Sequence, residues 1–519
     1  MFSKVCSATI QGINGRMITV EVDVRKGLPG LAIVGLPDQS VREARERVVS
    51  AIRNAGFELP PRKITVNLAP AYIKKSGPFF EIPIALGILS AIGIIKSEKE
   101  KKYGFVGELA LDGSVRPVRG ILPMVTAYAE KGYDAVMLPE DNKEEASYVP
   151  GIQIYPVSTL RQAVDFLNRE TYINPCSPQV HIGGKTIQTN KLDFADVKGQ
   201  QFAKRALEIA AAGGHNVLML GPPGAGKTML AQRMPSILPE MSFEEALEIT
   251  RIYSVAGLLH ENQALMNLRP FRSPHHTISD VALIGGGAMI KPGEISLAHH
   301  GVLFMDEFPE FHRNVLEALR QPLEEGKILI TRAHESYVYP ARFLLIAAMN
   351  PCPCGYYGHP LRECRCSDSV MHRYINRISG PLLDRIDLHV SVPALPVKEI
   401  TREQQSNESS EVIKQRVQSA RIKQMERYAT EKKSRRIMVP RINAHLSRKQ
   451  VQKYCVLDQS GVTLIEQAIN RYGFSARAYD RIVKIARTIA DLDNDESIQL
   501  HHIAEAIQYR VIDRHQSGI

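Results

Sequence analysis

The segment from 221 to 228 has the residue types and spacing to bind a polyphosphate. It consists of Gly221, Pro222, Pro223, Gly224, Ala225, Gly226, Lys227 and Thr228. This order fits G-x-x-x-x-G-K-[ST], in which backbone N–H groups and the start of a helix bind phosphate oxygens. In that pattern Lys227 reaches the β- and γ-phosphates, and the Thr228 hydroxyl ligates Mg²⁺. The segment therefore predicts that the chain binds ATP or a related nucleotide together with Mg²⁺.

Acidic and amide residues further along could complete a hydrolytic site. Asp306 and Glu307 follow the apolar run 301–305. We expect Asp306 to hold Mg²⁺ through water and Glu307 to polarise the attacking water as general base. Asn350 follows a second apolar run, 343–349, and its amide could hydrogen-bond the same water.

Two arginines are further candidates for the site. Arg385 lies in the segment 381–387, where it could stabilise transition-state charge, and Arg477 opens a predicted helix. Either arginine could instead form an ordinary surface salt bridge. The residues alone leave both roles open.

Four of the seven cysteines have the spacing of a metal site. They form the pattern C-x-C-x9-C-x-C and are Cys352, Cys354, Cys364 and Cys366. Four thiolates paired across a short turn bind zinc tetrahedrally, and such a closed site leaves no position for catalysis. We expect a structural Zn²⁺, with His359 as an alternative ligand. Unligated reduced thiols are the competing interpretation.

The segments around these residues alternate between strand and helix patterns. Residues 216–220 are apolar and predict a buried strand before the phosphate-binding segment, and a helix is expected from Met229. The same patterns predict strands at 17–24 and 63–68, and helices at 38–54, capped by Asp38, and at 82–95.

The chain of 519 residues is too long for one hydrophobic core, and its length predicts about three domains. We expect an α/β multidomain protein with an α+β domain first, a parallel-sheet domain second and a helical domain last. Polar stretches with weak periodicity predict the linkers between them. The predicted ranges are 1–170 for the first domain, 171–191 for a linker, 192–395 for the second domain, 396–410 for a second linker and 411–519 for the helical domain.

Composition indicates a protein of the cytoplasm. The chain is 44% hydrophobic and 23% charged, as is usual for soluble globular proteins. It has no run of about 18 apolar residues that would predict a membrane span, and its first residues lack the pattern of a secretory signal. Seven cysteines, four of them clustered, fit a reducing compartment better than a disulfide framework. We expect a cytoplasmic protein with no membrane partner.

Positive charge is concentrated in the segment 411–455. It has 13 lysines and arginines against 3 acidic residues, an excess that equals the net charge of +10 of the whole chain. A basic helical stretch can follow a nucleic-acid backbone. A solvated helix or linker is the commoner explanation of such a run.

Together these motifs resemble the AAA+ ATPases, and most closely the ComM/YifB family in their magnesium-chelatase-like branch. The residues that carry the resemblance are 196–200, 221–228, Asp306, Glu307, Asn350, 382–387 and 475–478. The resemblance implies an AAA+ core with a C-terminal helical lid. It also implies that Arg385 is an arginine finger reaching a neighbouring subunit, that Arg477 is the second sensor, and that the chain forms a ring, usually a homo-hexamer.

Two insertions typical of that branch match the segments 273–287 and 330–342. In ring motors such insertions face the central channel, so His275, His276 and Arg332 could contact a nucleic-acid backbone. For the two histidines, packing or subunit contact is an equally good interpretation.

The N-terminal region resembles the proteolytic domain of Lon, chiefly in the strand–turn–strand segment 107–118. That domain uses a serine–lysine dyad. At the matching positions this chain has Phe79 and Leu122, and neither can act as nucleophile or base. Ser76 and Lys74 or Lys75 lie nearby but out of register, and we expect them to be solvated. The domain is therefore predicted to be a non-catalytic scaffold.

The leading interpretation is an ATP-driven hexameric ring motor, a helicase acting on single-stranded or branched DNA. By resemblance to the ComM family, it would promote branch migration of recombination intermediates in natural transformation. A chelatase subunit is an alternative, although this chain shows no metal-ion-dependent adhesion site. An ATP-dependent protease would need a nucleophile that is missing. A protein remodeller would need an aromatic pore residue, for which Phe271 is the nearby candidate.

Overall fold

The computed structural model describes residues 1–96, 102–177, 192–259, 264–287, 290–332, 335–359, 362–396, 407–429 and 442–515. Their contacts divide the chain into two compact units. The first contains residues 1–185, 242–267 and 331–338, and the second contains 186–241, 268–330 and 339–519. Most of both predicted linkers lies outside the described residues: 178–191 of the linker 171–191, and 397–406 of the linker 396–410.

The first unit is built on a mixed sheet, which has seven strands in the described residues. The pairings of Asn14–Arg25 with Phe2–Gln11 and with Lys63–Ala69 are antiparallel, and the other pairings are parallel. The order across the sheet is Gly30–Val34, Lys63–Ala69, Asn14–Arg25, Phe2–Gln11, Tyr103–Phe105, Ala135–Pro139 and Gln153–Val157. The helices of this unit are Gln39–Asn54, Glu81–Ala91, Ile121–Glu130, Lys143–Ala146, Leu160–Leu167 and Phe243–Ala256.

Local patterns explain several elements of the first unit. Alternate residues of Asn14–Arg25 are buried, which confirms the half-buried strand predicted at 17–24. Asp38 accepts the N–H of Val41 at 2.9 Å and so caps the helix Gln39–Asn54, as predicted. The strand predicted at 63–68 is also present.

The helix predicted at 82–95 is shorter than expected. It begins at Glu81 and ends at Ala91. The chain turns at Gly93, whose φ is +84°, and the N–H of Ile94 returns to the carbonyl of Leu89 at 3.0 Å. A left-handed glycine of this kind ends a helix although the apolar sequence continues.

The second unit is built on a sheet in which every described pairing is parallel. The order is Phe271–Arg272, Val302–Met305, Leu344–Met349, Val217–Leu220 and Leu388–Ser391. Its three inner strands are buried along their whole length, as expected for apolar runs in a covered parallel sheet. Because parallel strands end at one edge, this sheet brings Gly221, Asp306 and Asn350 to the same edge.

The helices of the second unit cover its sheet and form its C-terminal region. They are Gln201–Gly213, Lys227–Ile237, Asp280–Ile284, Glu294–Leu297, Arg313–Ala318, Arg320–Glu325, Asp368–Ile375, Gly380–Leu383, Ser410–Ala429, Arg448–Tyr454, Gln459–Tyr472, Ala476–Leu492 and Leu500–His515. Val417 and Ile485 from the later helices share one hydrophobic core with Met219 of the sheet.

Three two-stranded ribbons complete the described structure. They pair Glu108–Leu109 with Val115–Arg116, Gly285–Gly286 with Lys291–Pro292, and Lys327–Arg332 with Glu335–Pro340. The first ribbon is the strand–turn–strand predicted at 107–118, and the third is the hairpin predicted at 330–342.

The two units divide the chain differently from the predicted domains. The later helices pack in the same unit as the parallel sheet, and the segments 242–267 and 331–338 belong to the first unit. The predicted domain boundaries therefore stay predictions. The fold class is confirmed as α/β, with a parallel phosphate-loop sheet and a helical C-terminus. No described helix is long and apolar enough to cross a membrane.

Candidate nucleotide-binding site

The phosphate loop, residues 221–226, joins the strand Val217–Leu220 to the helix Lys227–Ile237. The loop ends at a helix N-terminus, where backbone N–H groups and the helix dipole favour an anion. The side-chain amide of Gln200 donates to the carbonyl of Ala225 at 3.2 Å. Gln200 belongs to the segment 196–200, so this hydrogen bond ties that segment to the phosphate loop.

Lys227 is buried and fully engaged with neighbouring oxygens. Its Nζ donates to the carbonyl oxygens of Gly221 at 2.6 Å and Pro222 at 3.0 Å, and to Oδ1 of Asn350 at 3.2 Å. Burial lowers the pKa of Lys227 from its ordinary value. Two predicted site residues, Lys227 and Asn350, are therefore in direct contact. Phosphate oxygens bound here would compete with these three oxygens for the ammonium group.

The predicted Mg²⁺ ligands are also in contact. Thr228 Oγ1 donates to Oδ2 of Asp306 at 2.8 Å. Hydroxyl and carboxylate oxygens are the ligands that Mg²⁺ prefers, together with water and substrate phosphates. The side chains present therefore fit this ion.

Glu307, the predicted general base, has an unusual backbone and a histidine neighbour. Its φ is +51°, in the left-handed region that only a few non-glycine residues adopt, often at functional sites. Nδ1 of His276 lies 3.2 Å from Oε2 of Glu307. The His276 ring stacks on His275, with centroids 4.1 Å apart, and meets the edge of Phe311. The insertion 273–287 thus reaches Glu307, the predicted general base, within one chain.

Arg385 forms an ion pair within its own chain. Its guanidinium lies 2.7 Å from Oε1 of Glu324 and donates to the carbonyl of Pro381 at 2.6 Å, and its side chain is only 10% exposed. Arg385 lowers the pKa of Glu324, and the charge of Arg477 contributes to the same shift. Both arginines therefore lie near Glu324.

Glu324 was not identified from the sequence. It lies 61 positions before Arg385 in an ordinary helix, Arg320–Glu325, and no local motif marks it. The pairing of His276 with Glu307 was missed for the same reason. Only the pair of adjacent histidines gave a signal, and that signal does not specify a partner.

The four predicted zinc ligands form one cluster. Cys352 Sγ lies 3.3 Å from Cys354 Sγ and 3.6 Å from Cys364 Sγ, and with Cys366 all four sulfurs lie within 4.8 Å of one another. A tetrahedral zinc site with Zn–S bonds of about 2.3 Å needs sulfurs about 3.8 Å apart. Backbone N–H groups, that of Tyr356 foremost, lower the pKa of Cys354 to about 6. The donor set and its spacing fit Zn²⁺.

His359 does not belong to this cluster. Its Nδ1 accepts the N–H of Arg362 at 3.2 Å, and its ring lies against Tyr356. The alternative ligand set that included His359 is therefore not the arrangement seen.

Much of the basic segment 411–455 is used in contacts within the second unit. Arg416 pairs with Glu208 and Glu408, Arg427 pairs with Asp491, and Arg421 donates to the carbonyl of Ala211. These pairs tie the helix Ser410–Ala429 to the rest of the unit. Residues 430–441 of the segment lie outside the described residues.

The positions of the Lon dyad hold apolar side chains in the first unit. Leu122 is fully buried, and Phe79 packs against the same core. Lys75 is buried as well, and its ammonium group donates to the carbonyl of Pro70, so the expectation that it is solvated is wrong. Burial lowers the pKa of Lys75. The backbone between Asp38 and Lys75 is bridged by hydrogen bonds, which draw this lysine inward.

The structure describes all of the insertion 273–287 and residues 330–332 and 335–342 of the predicted hairpin. The insertion 273–287 contains the short helix Asp280–Ile284, and the hairpin tip at 331–338 belongs to the first unit. The side chain of Arg332 lies outside the described residues. That these insertions face a channel stays a prediction.

Three family models match the chain. "Magnesium chelatase, subunit ChlI" matches residues 193–400, "Subunit ChlI of Mg-chelatase" matches 20–142, and "Magnesium chelatase, subunit ChlI C-terminal" matches 407–510. The competence protein ComM of Haemophilus influenzae is 45% identical over 518 residues, which cover 98% of this chain and 97% of that protein. The chain belongs to the ComM/YifB family.

Other relatives agree with this assignment. The YifB protein of Escherichia coli is 43% identical over 503 residues, 97% of this chain and 96% of its own length. Lon protease 2 of Bacillus subtilis is 28% identical over 183 residues, 32% of each chain. The ComM/YifB family is thus a magnesium-chelatase-like AAA+ family, and its likeness to Lon covers only part of the chain.

Proposed function

We propose that this chain is an ATP-hydrolysing ring motor on DNA, a helicase that promotes branch migration of recombination intermediates in natural transformation. The observation that carries the proposal is the meeting of Lys227, Thr228, Asp306, Glu307 and Asn350 at one edge of a parallel sheet. A full-length relative is named a competence protein, which supports a role in handling incoming DNA.

In the proposed reaction each side chain has one task. The phosphate loop and Lys227 bind the polyphosphate of ATP, and Thr228 with Asp306 would hold Mg²⁺, which neutralises phosphate charge when bound. Glu307 accepts a proton from the attacking water as that water's oxygen bonds to the γ-phosphorus, while the bond from the γ-phosphorus to the bridging oxygen breaks and ADP leaves with that oxygen. Asn350 Oδ1, now bonded to Lys227, is close enough to the phosphate loop to help orient that water.

Arg385 supports a ring of subunits, which we expect to be a homo-hexamer. As an arginine finger it would stabilise charge on the γ-phosphate bound by the next subunit. Its pairing with Glu324 would have to open for this purpose, because its side chain is now mostly buried. Arg477, which lies near the same glutamate, would act as the second sensor.

The relatives support a DNA substrate more strongly than the charge of the chain does. Among the described basic residues of 411–455, Lys414, Arg416 and Arg427 are paired with acidic partners, so these three support DNA binding less than their charge implies. The insertion 273–287 and the hairpin 330–342 are the DNA-contacting elements that we propose. The four-cysteine cluster would carry structural zinc, and the protein would act in the cytoplasm.

ATP turnover with and without forked DNA tests the proposal. Forked DNA should raise wild-type turnover, and Lys227→Ala and Glu307→Gln should each lower it by about 100-fold or more, since each removes a group needed for binding or proton transfer. Glu307→Gln should still bind ATP. Glu310→Gln is the matched control, because Glu310 is a surface carboxylate paired with Arg377.

The outcomes separate the two parts of the proposal. If Lys227→Ala retained turnover, the site assignment would be wrong. If forked DNA neither bound the protein nor changed its turnover, a chelatase-like or protein-remodelling AAA+ ATPase would replace the DNA motor. The pairing of Arg416 and Arg427 with acidic residues of the same chain is the observation that favours that second candidate.

A further inference from the structure

The loop that carries the cysteines packs against the phosphate loop. We call residues 352–366 the cysteine loop; it begins two positions after Asn350. A Cβ atom added to Gly355 would lie 2.7 Å from Cδ of Pro223 and 3.9 Å from Cγ of Asn350. Real Cβ atoms do not come that close to other heavy atoms, so only glycine allows this approach.

The conformation that brings Gly355 to Pro223 is set next to the sulfur cluster. Gly355 donates its N–H to the carbonyl of Cys352 at 2.9 Å, and its φ is +85°. The turn from 352 to 355 therefore contains two of the four cysteines and the glycine that touches the phosphate loop. A bond that fixes the positions of Cys352 and Cys354 relative to Cys364 therefore also fixes the position of Gly355.

A divalent metal bound to all four sulfurs would cross-link the two ends of the cysteine loop. Loss of the metal would let the cysteine loop relax and would withdraw Gly355 from Pro223. The phosphate loop and Asn350 would lose one of their packing partners together.

We propose that zinc held by Cys352, Cys354, Cys364 and Cys366 clamps the cysteine loop onto the phosphate loop, so that metal occupancy sets nucleotide affinity. This inference rests on the proposed nucleotide site. The metal thus acts as a positioning element for ATP binding and takes no part in phosphate transfer. Zinc depletion or oxidation of the four cysteines would therefore weaken ATP binding without altering any residue that touches ATP.

A pair of glycine variants isolates the contact. Gly355→Ala keeps all four sulfur ligands and inserts a methyl group against Pro223. Gly358→Ala, in the same loop, has the same left-handed backbone at φ +71° but open space around the added atom. Both variants carry a similar backbone cost, so their difference reports the contact with Pro223.

The measurements are zinc content by mass spectrometry and the affinity for a fluorescent ATP analogue. Both variants should retain zinc as the wild type does. Gly355→Ala should bind the analogue at least tenfold more weakly, and Gly358→Ala should bind it within about twofold of wild type. Equal affinities in the two variants would overturn the coupling.

A cysteine variant tests the metal itself. Cys354→Ser should lose zinc and weaken analogue binding at least tenfold, whereas Cys176→Ser, a cysteine of the first unit, should change neither. Hydrogen exchange of the phosphate-loop amides in nucleotide-free protein should be faster in Cys354→Ser and in Gly355→Ala. A zinc-free Cys354→Ser protein that binds the analogue normally would refute the inference. A wild-type protein that binds no analogue would instead refute the nucleotide site.

Discussion

The side chain that should activate water is held by a second side chain. Glu307 sits in a left-handed backbone conformation with its carboxylate 3.2 Å from His276. This contact occupies one oxygen of the carboxylate that we propose as general base. His276 comes from the insertion 273–287, which we propose to contact DNA. The pair could therefore report DNA binding to the catalytic base.

His276→Ala should release Glu307 from this contact. We expect turnover without DNA to rise several-fold and the further increase on adding forked DNA to shrink. Steady-state ATP hydrolysis measures both quantities. His275→Ala is the control, because His275 stacks on His276 and bonds to Thr277 but does not touch Glu307. A fall in basal turnover in His276→Ala would mean that the histidine assists the base.

At the scale of elements, a helix from the middle of the chain is part of the first unit. The helix Phe243–Ala256 packs near Ile121–Glu130, and Ser254 Oγ donates to the carboxyl group of Glu145. The N–H of Leu122 donates to the same oxygen at 3.1 Å. Burial of this carboxyl group raises the pKa of Glu145 to about 7. The carboxyl group of Glu145 thus joins two helices through these two hydrogen bonds.

Glu145 should make the stability of the first unit depend on pH. Its pKa is higher in the folded than in the unfolded chain, so its contribution is full below about pH 4.5 and is lost as pH rises through 7. The loss is at most about 3 kcal/mol. Glu145→Gln keeps both accepted hydrogen bonds and cannot ionise, so its advantage in unfolding temperature over wild type should grow from pH 5 to pH 8. Calorimetry would show this growth.

The control for this change is Glu144→Gln, at an exposed neighbouring position. It should shift the unfolding temperature equally at both pH values. A constant difference between Glu145→Gln and wild type across the range would contradict the assignment of a raised pKa.

These elements also show which features a sequence reveals. The phosphate loop, its flanking strand and helix, and the four cysteines are contiguous patterns, so they could be predicted. Ser254 with Glu145 and Arg385 with Glu324 are pairs distant in sequence that only packing creates. The burial of Lys75 and the end of the helix at Ala91 likewise depend on turns and neighbours. The assignment of 242–267 to the first unit has no sequence signal.

At the scale of the whole molecule, the proposed site is divided between subunits. One chain would supply Lys227 and Glu307, and its neighbour would supply Arg385. In such an arrangement two different defective chains can restore one complete site when they assemble together.

Mixing Arg385→Ala with Lys227→Ala protein tests this arrangement. Each variant alone should lose turnover, and the mixture should recover part of it. Recovery is expected where a chain with intact Lys227 lies beside a chain with intact Arg385. ATP hydrolysis against mixing ratio gives the result, and light scattering confirms that mixed assemblies form. Mixed assemblies without recovery would show that Arg385 does not act on a neighbour.

The direction of the strands has one more consequence. Leu388–Ser391 runs parallel to Val217–Leu220 in register, so Arg385 precedes the amino end of one strand while the phosphate loop follows the carboxyl end of the other. The strands alone separate them by about 10 Å at 3.3 Å per residue. This placement at opposite ends of two paired strands supports the proposal that Arg385 acts on the nucleotide of a neighbouring subunit. ATP hydrolysis per molecule should therefore rise with protein concentration. A diluted chain would bind ATP without hydrolysing it. The concentration of the protein would then determine whether it hydrolyses ATP.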